Sequence, residues 1–189
     1  MAYYEGRAHG LFVGESKESL VTTRRGEVKV IYGGIEGDRH AGLTRIAGGR
    51  DKGRYERGTI IPNERQILIV AQEDLDFIAK ELHLPELPAE LIGTNIAIGG
   101  ISNFSKLPIG TELVFSGGVI LKIEEENLPC LKAGKAIQAV HGHVDPSHFP
   151  KASLDKRGVV ASVITPGVIQ EGEFVTVTVQ ESEKLTTEE

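Results

Sequence analysis

Glycine and proline cut the second half of the chain into short runs of β-branched and aromatic residues: "TNIAIGG", "TELVFSGG", "VILKIEEEN", "GVVASVITPG" and "EFVTVTVQ". Few helical stretches separate them, whereas a parallel α/β sheet would alternate each strand with a helix. The pattern therefore predicts a mainly β chain, closed or nearly closed into a barrel, with one or a few short helices. Two earlier stretches, "GRAHGLFVG" and "EVKVIYGG", also read as strands bounded by glycine. "RQILIV" is a buried-strand run. The segment after it, "QEDLDFIAKELH", predicts a helix with Leu75, Ile78, Ala79 and Leu82 on one face behind an acidic first turn, ended by Pro85 and Pro88.

Residues 35–58, "IEGDRHAGLTRIAGGRDKGRYERG", show no usable apolar period and read as a long loop. Loops of this length are usually functional or disordered. No repeat, low-complexity tract or linker divides the chain, so one domain over 1–189 is expected, with a core at about 7–179 and a frayed polar tail at 180–189. The formal net charge of -6 disfavours generic nucleic-acid binding. No apolar run reaches the roughly 20 residues of a membrane span. A single cysteine and no basic-then-apolar leader pattern make the cytoplasm the expected compartment.

That cysteine, Cys130, stands in "KIEEENLPCLKAGK". Thiolate is the form that attacks or binds metal, so its surroundings matter. Lys132 and Lys135 favour the anion, whereas Glu124, Glu125 and Glu126 oppose it wherever they face the sulfur. Pro129 holds the chain rigid just before the thiol. If Cys130 opens the helical pattern "CLKAGKAIQAV", backbone N–H groups point toward it. The alternative is a small buried hydrophobe.

Other polar clusters compete for attention. In "EGDRHAG", Gly37 and Gly42 permit close backbone approach, and Arg39, beside Asp38 and His40, offers a fork suited to phosphate. Arg45, Arg50, Arg54 and Arg57 extend this positive stretch into an anion-attracting lip. "HGHVDPSH" gathers His141, His143, Asp145 and His148, but the spacing suits a polar loop better than a zinc site. No lysine stands out as a Schiff-base site, so pyridoxal phosphate is not expected. An iron–sulfur cluster usually needs four cysteine ligands, and this chain has one.

Four segments in order, "GIEGDRHAG", "LIGTNIAIGG", "LPIGTELVFSGGVILKIEEENLPCLK" and "RGVVASVITPGVIQEGEFVTV", resemble the MOSC family, the C-terminal domain type of molybdenum cofactor sulfurases, here as a stand-alone protein. The resemblance runs from about Arg7 to Val179. It implies a strand-rich, barrel-like fold. It also implies that Cys130 carries sulfur or ligates the molybdenum of a bound pterin cofactor, with Asp38, Arg39, His40, Arg45, Asn95, Asn127 and Lys132 as cofactor contacts. Where the family often has an arginine before its Pro-Cys, this chain has Asn127 and Leu128. Of the family's Gly-Glu-Asn segment, Asn95 carries over, and Glu173 stands at the last strand turn. The leading expectation is reduction of an N-hydroxylated or similar small substrate, with electrons from a separate partner. One alternative is a sulfur carrier loaded with persulfide by a desulfurase. Another is a non-catalytic cofactor-binding domain with an inert thiol.

Overall fold

The structure, a computed structural model, describes residues 2–179, so the tail expected to fray lies outside the described residues. In chain order the strands are β1 (Ala2–Val13), β2 (Thr23–Arg25), β3 (Glu27–Ile31), β4 (Gly34–Ile35), β5 (Thr44–Ile46), β6 (Ile60–Pro62) and β7 (Ile67–Ala71). The helix α1 (Gln72–Glu81) follows, then β8 (Ile96–Gly99), β9 (Glu112–Phe115) and β10 (Ile120–Glu126). The remainder comprises α2 (Leu131–Val140), α3 (His148–Ala152), β11 (Val159–Thr165), β12 (Gly167–Gln170) and β13 (Phe174–Val179).

Seven strands close a barrel in the order β13, β9, β10, β11, β7, β8, β1, with β1 returning to β13 from Ala2↔Val179 to Arg7↔Phe174. All neighbours in the ring are antiparallel except β7 and β8. Two parallel strands need a crossover, and α1, starting at the residue after β7, supplies it. The expected barrel therefore forms, with one βαβ step built into its wall.

Alternation fills the interior. On β9, Leu113 and Phe115 are buried between exposed neighbours, and on β13 the buried Val175 and Val177 alternate with half-buried or exposed residues. They join Ile67, Ile69, Ile96, Leu121 and Ile123 in one apolar cluster. Each fully buried aliphatic side chain is worth roughly 1.5–3 kcal/mol relative to exposure. A second cluster, with Leu75, Ile78, Ile137 and Phe149, packs the three helices against the outside of the wall. The expected α1 face, Leu75, Ile78, Ala79 and Leu82, is entirely buried.

Residues 35–58 are not a continuous loop. Thr44–Ile46 pairs with Ile60–Pro62, the register placing Ile46 opposite Ile60, and a 3-10 turn covers Gly49–Asp51. The ribbon left no apolar period because Ile46 and Ile60 face outward, 70% and 73% exposed, and its second strand begins beyond the segment.

The histidine-rich stretch connects α2 to α3. His141 follows the last turn of α2, Asp145 accepts the Ser147 N–H at 2.8 Å, and His148 opens α3. It lies close against α2 because Gly134 has no Cβ; one would meet the Pro146 carbonyl oxygen at 2.0 Å. Among the described residues, no group of three or more His, Cys, Asp or Glu side chains is close enough to hold a metal. No helix among them is long and apolar enough to cross a membrane.

Candidate functional site

Cys130 stands where β10 gives way to α2. It holds extended backbone angles (φ -142°, ψ 152°) just before the first helical residue, and its side chain makes no capping hydrogen bond. The half-buried thiol lines a cavity of about 240 Å³ together with His40, Arg50, Arg65, Lys132 and Arg157. Among the described residues, no aspartate or glutamate lines it. An adjoining cavity of about 430 Å³ shares His40, Arg50 and Arg65 and continues past Arg39, Arg45 and Lys17. The two form one cationic cleft in a chain whose net charge is -6.

Asn127 organises the wall of the smaller cavity. Its Oδ1 accepts from Arg65 Nη2 at 2.7 Å and Arg50 Nη1 at 3.3 Å, while its backbone N–H donates to the Gly158 carbonyl at 2.9 Å. Arg65 also pairs with Glu125, which neutralises much of its charge. Gly158, at φ +81°, would bring a Cβ within 2.1 Å of the Ile69 carbonyl oxygen, so only glycine lets this segment press against β7. The residue it positions is Arg157.

Arg157 is 2% exposed. Its Nη2 donates to the Ile92 carbonyl, and its guanidinium lies 5.7 Å from the Phe149 ring centroid. Among the described residues, Nε and Nη1 have no partner. Burial pushes its pKa down to about 10, against the pull of Cys130. A buried cation with unmet donors is costly, and such groups concentrate where a ligand completes them.

The other expected residues fall into two groups. Asp38 and Asn95 do not line either cavity. Asp38 Oδ2 accepts from the Gly14 N–H at 2.7 Å and Asn95 Nδ2 at 2.8 Å, and its Oδ1 from the His40 N–H at 2.8 Å. Asn95 Oδ1 accepts the Leu68 N–H at 3.0 Å. Burial would raise the Asp38 pKa, but its hydrogen bonds from His40 and Gly14 outweigh burial and lower it. The pair pins β1, β7 and the 38–40 turn from behind, leaving His40 Nδ1 3.3 Å from the Asp38 carboxylate and its ring at the cleft.

Arg39 and Arg45 line the larger cavity only. Arg39 Nη2 donates to the Leu20 carbonyl at 2.8 Å and its Nη1 is unpartnered; burial lowers its pKa against the pull of Asp38. Arg45 grips Asp51 with both Nη atoms, at 2.7 and 2.5 Å. Those bonds hold the Asp51 carboxyl far below the usual carboxylate range. Arg54 and Arg57 line neither cavity. Glu173 lies elsewhere, accepting the Gln170 N–H at 2.9 Å in the turn before β13. Sequence reasoning missed Arg65, Arg157 and Lys17.

A family model described as the MOSC domain matches residues 38–176, which hold most of the cleft lining and most of the barrel. The chain belongs to the MOSC domain family. Among MOSC relatives it is 36% identical over 173 residues to a Bacillus subtilis (strain 168) protein named "Putative metal-sulfur cluster biosynthesis proteins YuaD", covering 90% of this chain and 89% of that one. The crystal structure of the YuaD protein from Bacillus subtilis superposes with a TM-score of 0.90 at 35% identity, covering 95% of this chain and 99% of that one. YiiM from Geobacillus stearothermophilus shares the fold, with a TM-score of 0.63 at 18% identity over 92% of this chain and 75% of that one.

Proposed function

We propose that this MOSC protein handles sulfur on Cys130 in the service of a metal–sulfur or molybdenum cofactor. The observation that carries the reading is that Cys130 and Arg157, whose Nε and Nη1 lack partners, line one cavity with no carboxylate among the described residues. The Cys130 thiolate attacks the outer sulfur of a desulfurase persulfide. A new S–S bond forms on Cys130, the donor's S–S bond breaks, and the donor cysteine leaves as a thiolate. Arg157 and Lys132 stabilise the anion, before and after transfer. The name of the YuaD relative, which refers to metal-sulfur cluster biosynthesis, favours this reading.

The second reading is the molybdenum pterin cofactor itself, bound in the cleft with Cys130 as a metal ligand. The paired cavities and their cations favour it, because a phosphate-bearing group fits Arg39, Arg50, His40 and Arg157. Cys130 supplies one soft donor and, among the described residues, no carboxylate joins it, which suits a metal arriving with its other ligands. Bound there, such a cofactor would supply the reduction of an N-hydroxylated or similar small substrate, with electrons from a separate partner.

Molybdenum content and intact mass decide between the two. Protein from a molybdenum-replete, pterin-competent host is expected to be metal-poor and to gain one sulfur after incubation with a desulfurase and cysteine. About one molybdenum per chain, with no mass gain, would move the conclusion to the second reading. An inert thiol in both assays would leave a non-catalytic binding domain.

A further inference from the structure

The Cys130 end of the cleft is small and lined by cations. At about 240 Å³ it lies below the roughly 300–1,000 Å³ usual for drug-sized ligands. Its most buried polar side chain, Arg157, lines the cavity beside Cys130 and leaves Nε and Nη1 unpartnered among the described residues. Arg50 adds a second cation, held loosely by a single 3.3 Å contact with Asn127. A small, doubly charged anion with oxygens on one side and a transferable sulfur on the other would meet all three residues at once.

We propose that Cys130 is loaded directly by small anionic sulfane-sulfur donors of the thiosulfate class. The Cys130 thiolate attacks the outer sulfur of thiosulfate and forms an S–S bond. The donor's own S–S bond breaks, and sulfite leaves with the electron pair. One thiolate and one dianion become one persulfide anion and one sulfite dianion, so no external oxidant or reductant is required. Arg157 and Arg50 hold the sulfonate oxygens in the incoming donor and in the departing sulfite, where the charge on oxygen grows. The persulfide then passes its outer sulfur to a nucleophilic acceptor. This inference rests on the sulfur-handling reading and names the donor class for it.

The test incubates the reduced full-length protein with thiosulfate and measures sulfite release, intact mass, and thiocyanate formed when cyanide is added as acceptor. The expected result is one sulfite and one added sulfur per chain, saturable in thiosulfate, and none of either in Cys130→Ser. Arg50→Gln changes an exposed side chain and should fold. It is expected to raise the half-saturating thiosulfate concentration roughly tenfold, the loss of one charge-assisted hydrogen bond. It should also slow alkylation of Cys130 by anionic iodoacetate while sparing neutral iodoacetamide, a split that a merely structural residue would not produce. Arg157→Lys is expected to weaken thiosulfate loading further. If desulfurase and cysteine load Cys130 while thiosulfate releases no sulfite, the donor class is wrong and sulfur handling stands. If neither loads it, both readings fall. An Arg50→Gln variant matching the parent in both assays would overturn the anion-holding role.

Discussion

Two arginines at opposite ends of the cleft carry the same charge and behave differently. Arg45 places both Nη atoms on Asp51, which also accepts the Gly48 N–H at 2.8 Å. Hydrogen bonding to Asp51 raises its pKa, and it ties the 49–51 turn to the β5–β6 ribbon. Arg157 is more deeply buried, has one carbonyl partner, and is pushed the other way by burial. Partner count, more than charge count, separates an arginine that builds the cleft from one left with unmet donors. Breaking a buried pair strands a charge, whereas removing a stranded charge relieves the fold.

The largest expected effect follows from that contrast. Arg157→Met keeps the bulk beside Phe149 and removes the unmet donors, leaving only the Ile92 carbonyl short of a partner. Sulfur loading of Cys130 is expected to fall tenfold to a hundredfold, about 1.5 to 3 kcal/mol of lost anion stabilisation. The melting temperature should stay level or rise. A variant that melts several degrees lower and loads sulfur like the parent would make Arg157 an architectural residue, and the comparison would collapse.

The sequence contained one half of this contrast. Cys130 was legible because it is unique and sits behind a proline among charges, and the barrel was legible because alternation along "TELVF" and "EFVTVTV" is local. Arg157 and Arg65 were not, since neither has a neighbour in sequence that hints at a thiol. Pairing of β11 with both β7 and β10 folds them against Cys130, and Asn127 then joins the two arginine-bearing segments. Arg45 was legible only as a charge. Its partner, Asp51, lies six positions on, but a pairing that looks obvious in space depends on a ribbon whose second strand starts at Ile60. Asn95 illustrates the converse: its position stood out, yet its amide is consumed by Asp38 and by the Leu68 N–H.

A middle-sized effect tests the architectural end. Asp51→Ala leaves the partly buried Arg45 guanidinium without its carboxylate and the Gly48 N–H without its acceptor. The expected cost is roughly 1 to 3 kcal/mol by denaturant unfolding. Adding Arg45→Met to the same chain should recover part of it, because the stranded charge is gone. Sulfur loading at Cys130 should change little in either variant, and a loading loss as large as that of Arg157→Met would show that the two ends act as one site.

The smallest effect distinguishes two ways of holding a carboxylate ionised. Asp51 is held mainly by the Arg45 cation, and Asp38 by neutral N–H donors and His40 working against burial. Both folded pKa values lie below the ordinary 3.8, and Asp51 is the more depressed. A carboxyl depressed on folding stabilises the native state fully above its unfolded pKa, and that contribution disappears as pH falls through the folded value. Acid should therefore release Asp38 first. Carboxyl carbon resonances followed by NMR from pH 6 downward (~6, above both groups' ordinary range) should give Asp38 a midpoint below 3.8 and above that of Asp51. Signals of the His40 turn and Cys130 should shift with Asp38, while those of Gly48 should move only with Asp51. Reversed midpoints would mean that the hydrogen bonds behind the Cys130 end outweigh an ion pair, and that this end, with its stranded arginine, is the more rigidly built of the two.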